Sequence, residues 1–436
     1  MSLSTQPYSG ARDFYPEDKL IHNFIFNNIR KVIEKYGYEE YDGSILEPVE
    51  LFLAKSSADL VNDQSYHFRD RGGRLVVMRP EVTPSVSRLV ASRRYDLGFP
   101  LRWYSIADIW RYEDPNGEGL NQRWQLNVDN FGITNLAAEQ ELIQIAVNIL
   151  KRFGAKQRMY TIKLNSRRLA EYLFKDYLGL DLTQTGSLVK LIDRVKELDF
   201  TTFAANVDVL VTPSQREAGL DSKILDLLRT TSLDTLPEAV KDCPYITEIK
   251  TLINMLEESK ITNVVYDITL IRDFDYYSDM VFEIHDNEPK NKQAIFGGGR
   301  YDDLVGLFGV DDLPAAGFGM SDIDLQRFLS LHDLLPSLTT NTDLYVVTVG
   351  DVYNKALLVA NELRDMGVAV ALDTTLDVLE KQIENATKKK IKYILIVEDT
   401  ESEDEHYKLK NLTTGEEESH GLARIVSIVK DYRQGL

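Results

Sequence analysis

The chain has 436 residues, enough for two or three domains with cores of their own, and one cysteine, Cys243, which excludes a disulfide framework and a cysteine-built zinc site. Its net charge of −19, from 69 acidic against 50 basic residues, disfavours nonspecific nucleic-acid binding through bulk charge but leaves room for a local basic patch. No apolar leader and no long apolar run stands in the sequence, which points to a cytoplasmic protein with no membrane segment, and its six histidines form no HxxxH pair.

After PYSGARDFYPEDK, apolar residues Ile21, Phe24, Ile25, Ile29, Val32 and Ile33 recur at helical spacing, and Gly37 is placed to close that helix. Tyr38 to Pro48 reads as a strand and turn. Gly72–Gly73 between strand-type residues predicts a hairpin whose second strand is Leu75–Met78. That strand runs through Arg79-Pro80-Glu81-Val82-Thr83-Pro84 into a helix. Glu81 and Thr83 could cap that helix, or could project into a pocket as acceptors for an ammonium group. Leu101–Trp110 is a further strand, ending in Arg111-Tyr112-Glu113. The next strand alternates, with Arg123, Gln125, Asn127 and Asp129 on one face and Trp124, Leu126 and Val128 on the other. A face of polar side chains is explained either by a solvent-facing edge or by a polar small-molecule site with Arg111 and Glu113 beside it.

Glu139–Phe153 reads as a helix and Arg158–Leu164 as a strand, and residues 165–260 are mostly helical and charged, as in an insertion between strands of one sheet. NVVYDITLI and MVFEI flank the turn in LIRDFDYYSDMVFE, which predicts a hairpin with Arg272, Asp273, Asp275 and Asp279 at its tip. The adjacent Tyr276 and Tyr277 would point to opposite faces if they lay in a strand, leaving one ring for a pocket. AIFGGGRYDDLVG places three glycines after an apolar strand, either to cradle phosphate or to let backbones pack closely. LPAAGFGM is a small-residue strand before a helix through Phe328. From residue 342 to 436, LYVVTVG, VAVALD and YILIVED alternate with helices at Lys355–Met366 and Leu379–Lys389, a small α/β domain with a largely parallel sheet.

GARDFYP, MRPEVTP, WRYEDP with WQLNVDNFG, LIRDFDYYSDMVFE and GGGRYDDLVG stand in the order seen in histidyl-tRNA synthetases, and the sequence resembles that family over nearly its whole length. The resemblance implies an α+β fold, with a class II antiparallel sheet flanked by helices built from residues 1–164 and 261–335, a helical insertion at 165–260, and an anticodon-binding α/β domain at 342–436. It implies histidine, ATP with Mg2+ and tRNA(His) as substrates, a homodimer, and no metal held by the protein. Glu81, Thr83 and Gln125 would hold the histidine ammonium, and Asp129 and Tyr277, next to Tyr276, the imidazole nitrogens. Arg111 and Arg272 would face the histidine carboxylate and the ATP α-phosphate, with Glu113 and Arg123 toward the nucleotide. The family usually has arginine where Asp114 stands, a GRxRxF run where this chain reads EGLNQRW, GLER where it reads Ser321-Asp322-Ile323-Asp324, and glycines at Asp273 and Asp279. Arg327 matches the missing last arginine only with three residues inserted. These departures raise a second reading, a histidine-sensing regulatory subunit of the kind that partners ATP phosphoribosyltransferase.

Overall fold

The computed structural model describes residues 3–53, 64–112, 120–194, 198–271, 276–338, 340–375, 377–399 and 406–434. Arg272 and Glu113 therefore lie outside the described residues, as does most of the tip around them. The chain divides into two units, residues 1–12 with 26–334 and residues 13–25 with 335–436.

The first long helix, α1 (Pro16–Ile33), carries Glu17 and Asp18 in its first turn and Arg30 and Lys31 in its last, matching the helix dipole. A 3₁₀ turn over Glu34–Tyr36 follows before Gly37 closes it at φ 76°, one turn later than a simple α-helical stop. Two short strands, β1 (Glu39–Glu40) and β2 (Leu46–Pro48), lead to the one-turn helix α2 (Glu50–Leu53). Strands β3 (His67–Arg69) and β4 (Leu75–Met78) form the hairpin expected around Gly72–Gly73, and β2 joins them in a three-stranded sheet.

The main sheet has eight strands. Beyond β1 these are β5 (Leu101–Trp110), β6 (Gln122–Phe131), β7 (Tyr160–Ser166), β8 (Val264–Tyr266), β9 (Met280–Asp286), β10 (Ala294–Arg300) and β11 (Ala315–Ser321). Their order is β1-β5-β6-β11-β10-β9-β7-β8, antiparallel throughout its six central members, with parallel pairs only at the two edges. The hairpin expected across LIRDFDYYSDMVFE is not formed. Strand β8 pairs with β7 in parallel, β9 pairs with the other side of β7, and the hairpin partner of β9 is β10. Strand-type residues on both sides of a turn do not fix who pairs with whom, and here β7 lies between the two arms.

One face of the sheet is apolar. Leu126, Val128, Phe282, Ile284, Phe296, Phe318 and Met320 are all buried, and this face packs on α4 (Ala137–Arg152) and α11 (Asp322–Leu331). Each such side chain contributes about 1.5–3 kcal/mol by leaving water. The other face is overlain in part by α3 (Thr83–Ser92) and its cluster of Val86, Val90, Leu304 and Val305. The insertion is helical: α5 (Arg167–Glu171), α6 (Leu182–Asp193), α7 (Phe200–Leu210), α8 (Pro213–Glu217), α9 (Leu220–Leu228) and α10 (Pro244–Glu258). Side-chain oxygens of Ser166, Asp181, Asp199 and Thr212 cap α5, α6, α7 and α8.

In the second unit, β12 (Leu344–Val349), β13 (Val370–Leu372) and β14 (Tyr393–Glu398) form the parallel sheet expected, with α12 (Tyr353–Asp365) and α13 (Leu379–Lys388) between them. Strands β15 (Tyr407–Asn411) and β16 (Glu417–His420) extend the sheet antiparallel to β14, and α14 (Leu422–Gln434) ends the chain.

Candidate functional site

Register decides what the second face of the main sheet offers. Asp129, Asn127 and Gln125 of β6 stand opposite Gly317, Gly319 and Ser321 of β11. Gly317 and Gly319 in turn stand opposite Gly299 and Gly297 of β10, and those opposite Val281 and Glu283 of β9. Paired residues share a face. At Gly297, Gly299, Gly317 and Gly319 the middle two strands therefore present backbone alone on this side, between a polar wall on β6 and Glu283. Close approach requires it: a Cβ on Gly317 would overlap the Asp129 carboxylate, and one on Gly299 would stand 2.5 Å from the Met280 carbonyl and 2.9 Å from the Tyr277 ring. Gly298 faces the other way, against Phe318. The three glycines thus lie inside β10 and pack backbone to backbone; they do not form a loop that cradles phosphate.

Above this stripe is a cavity of about 160 Å³. Glu81, Thr83, Arg111, Gln125, Tyr276 and Tyr277 all line it. Both tyrosine rings reach the cavity because they sit in the turn before β9, not within a strand. The hydroxyl of Tyr276 donates to Glu81 Oε2 at 3.0 Å, and Glu81 is 2 % exposed. Neither Glu81 nor Thr83 caps α3: its N-cap is Val82, with no side-chain cap bond. Thr83 Oγ1 instead accepts from Asn127 Nδ2 at 3.2 Å, and Asn127 Oδ1 accepts from Gln125 Nε2 at 2.5 Å. The polar stripe of β6 is therefore no solvent-facing edge, since β6 lies between β5 and β11. Arg111 is held by its Nε–H, which donates to the Pro80 carbonyl at 2.6 Å.

Asp129 is wholly buried beside the cavity. Tyr301 donates its hydroxyl to Oδ1 at 2.6 Å, while Oδ2 is buried with no partner among the described residues. Burial pushes this carboxyl up to about 7, against the opposing pull of the Tyr301 hydroxyl and of the Asn127 side chain. The hydroxyl of Tyr41, equally buried and without a partner among the described residues, is held well above the usual phenol range by burial and by the charge of Asp129. Two orphaned polar atoms this deep mark a place where a polar ligand group belongs.

Arg123 lies on the same face of β6 as Gln125, half-buried and opposite Ile109. Arg327 is not brought to the cavity. It is exposed on α11, five residues and so about 140° around the helix from the buried Asp322. In the same motif, two residues before Asp324, which holds the register of the missing arginine, Asp322 is an anchor: it accepts from Arg12 Nη2 at 2.8 Å and from the Trp124 amide at 3.1 Å. Asp279 is likewise buried, accepting from Ser166 Oγ at 2.7 Å and pairing with Arg168 at 3.1 Å. The sequence reading gave no role to Asn127, Tyr301 or Glu283. Asn127 was visible in the alternation of β6, Tyr301 only as part of GGGRYD, and Glu283 only through the register of β9.

Residues 10–324 match the family model described as Histidyl-tRNA synthetase, and residues 343–432 match that of an Anticodon binding domain. The histidine–tRNA ligase of Leptospira biflexa is 34 % identical over 433 residues, 98 % of each chain. The chloroplastic/mitochondrial histidine–tRNA ligase of Arabidopsis thaliana is 33 % identical, over 95 % of this chain and 85 % of its own. Among solved structures, the histidyl-tRNA synthetase of Nostoc superposes with a TM-score of 0.82 at 22 % identity, covering 99 % of this chain and all of its own. An ATP phosphoribosyltransferase regulatory subunit/histidyl-tRNA synthetase from Bacillus halodurans superposes at 0.74 and 22 %, over 92 % of this chain and all of its own, a likeness of fold alone. With the motifs, the antiparallel sheet and a match along nearly its full length, the chain belongs to the histidyl-tRNA synthetase family.

Proposed function

We propose that the cavity over the glycine stripe is a histidine pocket, in which the amino acid is activated by ATP before transfer to the 3′ end of tRNA(His). As a family member the chain is a histidine–tRNA ligase, an aminoacyl-tRNA synthetase of class II. The observation that carries the pocket is its set of carboxylates, two of them buried and Glu283 half-buried beside His285. Glu81 and Glu283 face the cavity, and Asp129 beside it keeps one oxygen without a partner among the described residues. Such a site favours a ligand with an ammonium group and a ring N–H over a neutral or anionic one.

In this reading Glu81, Thr83 and Gln125 receive the ammonium, Asp129 and Tyr277 the two imidazole nitrogens, and Arg111 the carboxylate. ATP enters as its magnesium complex. The histidine carboxylate attacks the α-phosphate and the α–β phosphoanhydride bond breaks, releasing pyrophosphate and leaving histidyl-adenylate, a step that needs fixed positive charge where the pentavalent state develops and no general base. Arg272, with Arg111, supplies it. Arg123 and Glu113 serve the nucleotide; Arg327, exposed on α11, does not line the histidine cavity. Residues 165–260 form an insertion within the catalytic unit, and 342–436 read the anticodon. The enzyme works in the cytoplasm as a homodimer. A histidine-sensing subunit is the poorer reading, because a sensor has no use for an anticodon-binding domain.

Histidine-dependent ATP–pyrophosphate exchange tests this. Wild type should exchange with histidine and with no other amino acid. Arg272→Ala should exchange about 10²–10³ times more slowly, the loss typical of one preorganised donor, with a smaller loss of histidine affinity. Wild type that binds histidine yet shows no exchange at any magnesium concentration would overturn the reading.

A further inference from the structure

We infer that Asn127 is a positioning residue: it turns the Gln125 amide so that the carbonyl oxygen, and not the NH2 group, faces the cavity, and so makes the pocket select ligands that carry an ammonium group. The inference deepens the histidine-pocket reading and rests on it.

A carboxamide has a donor end and an acceptor end of nearly the same shape. Which end it shows a ligand is decided by the partner that holds the other. Gln125 lines the cavity, and its Nε2 donates to Asn127 Oδ1 at 2.5 Å. Asn127 is 1 % exposed, and its own Nδ2 donates to Thr83 Oγ1 at 3.2 Å. The N–H bonds therefore run in one direction, Gln125 to Asn127 to Thr83. The acceptor left over at the start of that chain is Gln125 Oε1. The amide lies against backbone at Gly319, where a Cβ would come within 3.0 Å of Gln125 Nε2. Were Asn127 turned over, Gln125 would show its NH2 to the cavity, and a ligand ammonium would meet donors instead of acceptors. Glu81 and Glu283 on the same walls already favour a cation. Asn127 brings the neutral member of the wall into agreement with them.

The test compares calorimetric affinities of wild type, Asn127→Ala and Asn127→Asp for three ligands. These are histidine, histidinol, which keeps the amino group, and 3-(imidazol-4-yl)propionate, which keeps the ring and carboxylate but lacks it. Asn127→Ala should lose about 10- to 100-fold for histidine and histidinol, the worth of one hydrogen bond to a charged group, and little for the propionate. Asn127→Asp keeps an oxygen facing Gln125 Nε2 and should keep the preference. Propionate binding by each variant also reports that it is folded. A parallel loss for all three ligands, an unchanged preference in Asn127→Ala, or an equal loss of preference in Asn127→Asp overturns the inference and leaves the pocket reading intact. Wild type that binds no histidine overturns both.

Discussion

Asp129 is asked to be a carboxylate where water does not reach. Its pKa of about 7 in the folded chain, against 3.8 ordinarily, means that the native state holds more protons than the unfolded state between those values. The contribution is fully present below pH 4 and is lost as pH rises to about 7, by at most about 4 kcal/mol. Asp129→Asn should remove that dependence, so that the ligand-free variant is the more stable protein at pH 8 while losing histidine binding. Urea unfolding at pH 5 and pH 8 decides it; an unchanged pH response would show that Asp129 is not the titrating group. The polar stripe of β6 could be read from Arg123, Gln125, Asn127 and Asp129 alone. What could not be read was why that stripe is tolerated in the middle of a sheet. The answers, Tyr301 on Asp129 and Thr83 on Asn127, come from residues 172 and 44 positions away.

Pairing of elements was the harder part. Local pattern placed β5 at its exact bounds and β4 in its hairpin, because side-chain alternation and a Gly-Gly turn are written in a few consecutive residues. It failed for β8 and β9, whose common neighbour β7 precedes them by the whole helical insertion. The glycines of β10 show the same limit: after an apolar strand they fit a phosphate cradle or close packing equally well, and only the register to β9 and β11 makes them a floor. Gly317→Ala should therefore cost about 1–3 kcal/mol of stability by overpacking, and should cost more in histidine binding because Asp129 must move. Chemical denaturation with calorimetry would show both. At the insertion, Asp279 ties the start of β9 to α5 through Ser166 and Arg168, and its carbonyl accepts from the Arg167 amide at 3.0 Å. Asp279→Ala should destabilise by about 1–3 kcal/mol and speed proteolytic nicking near residues 167–181. Cleavage unchanged from wild type would show that this tie does not hold the insertion.

The second unit has apolar clusters on both faces of its sheet, drawn wholly from residues 344–429. A fragment of residues 340–436 should unfold cooperatively on its own, and its removal should leave histidine-dependent exchange but abolish tRNA charging; circular dichroism and the two assays are the measurements. A fragment without a cooperative transition would contradict this. The catalytic unit, by contrast, should pair with a second copy, and light scattering at micromolar concentration should give twice the mass of one chain.

A sheet whose two middle strands present only glycine at the centre of one face has a core that its own sequence does not complete. In the proposed reading histidine fills that space, and its binding should add RT ln(1 + [L]/Kd), about 2.7 kcal/mol at a hundredfold excess over Kd. Heating curves should climb with histidine concentration for this reason. Inside a cell, where opened chains are removed by proteases, a fall in histidine supply shortens the lifetime of the ligase that consumes it.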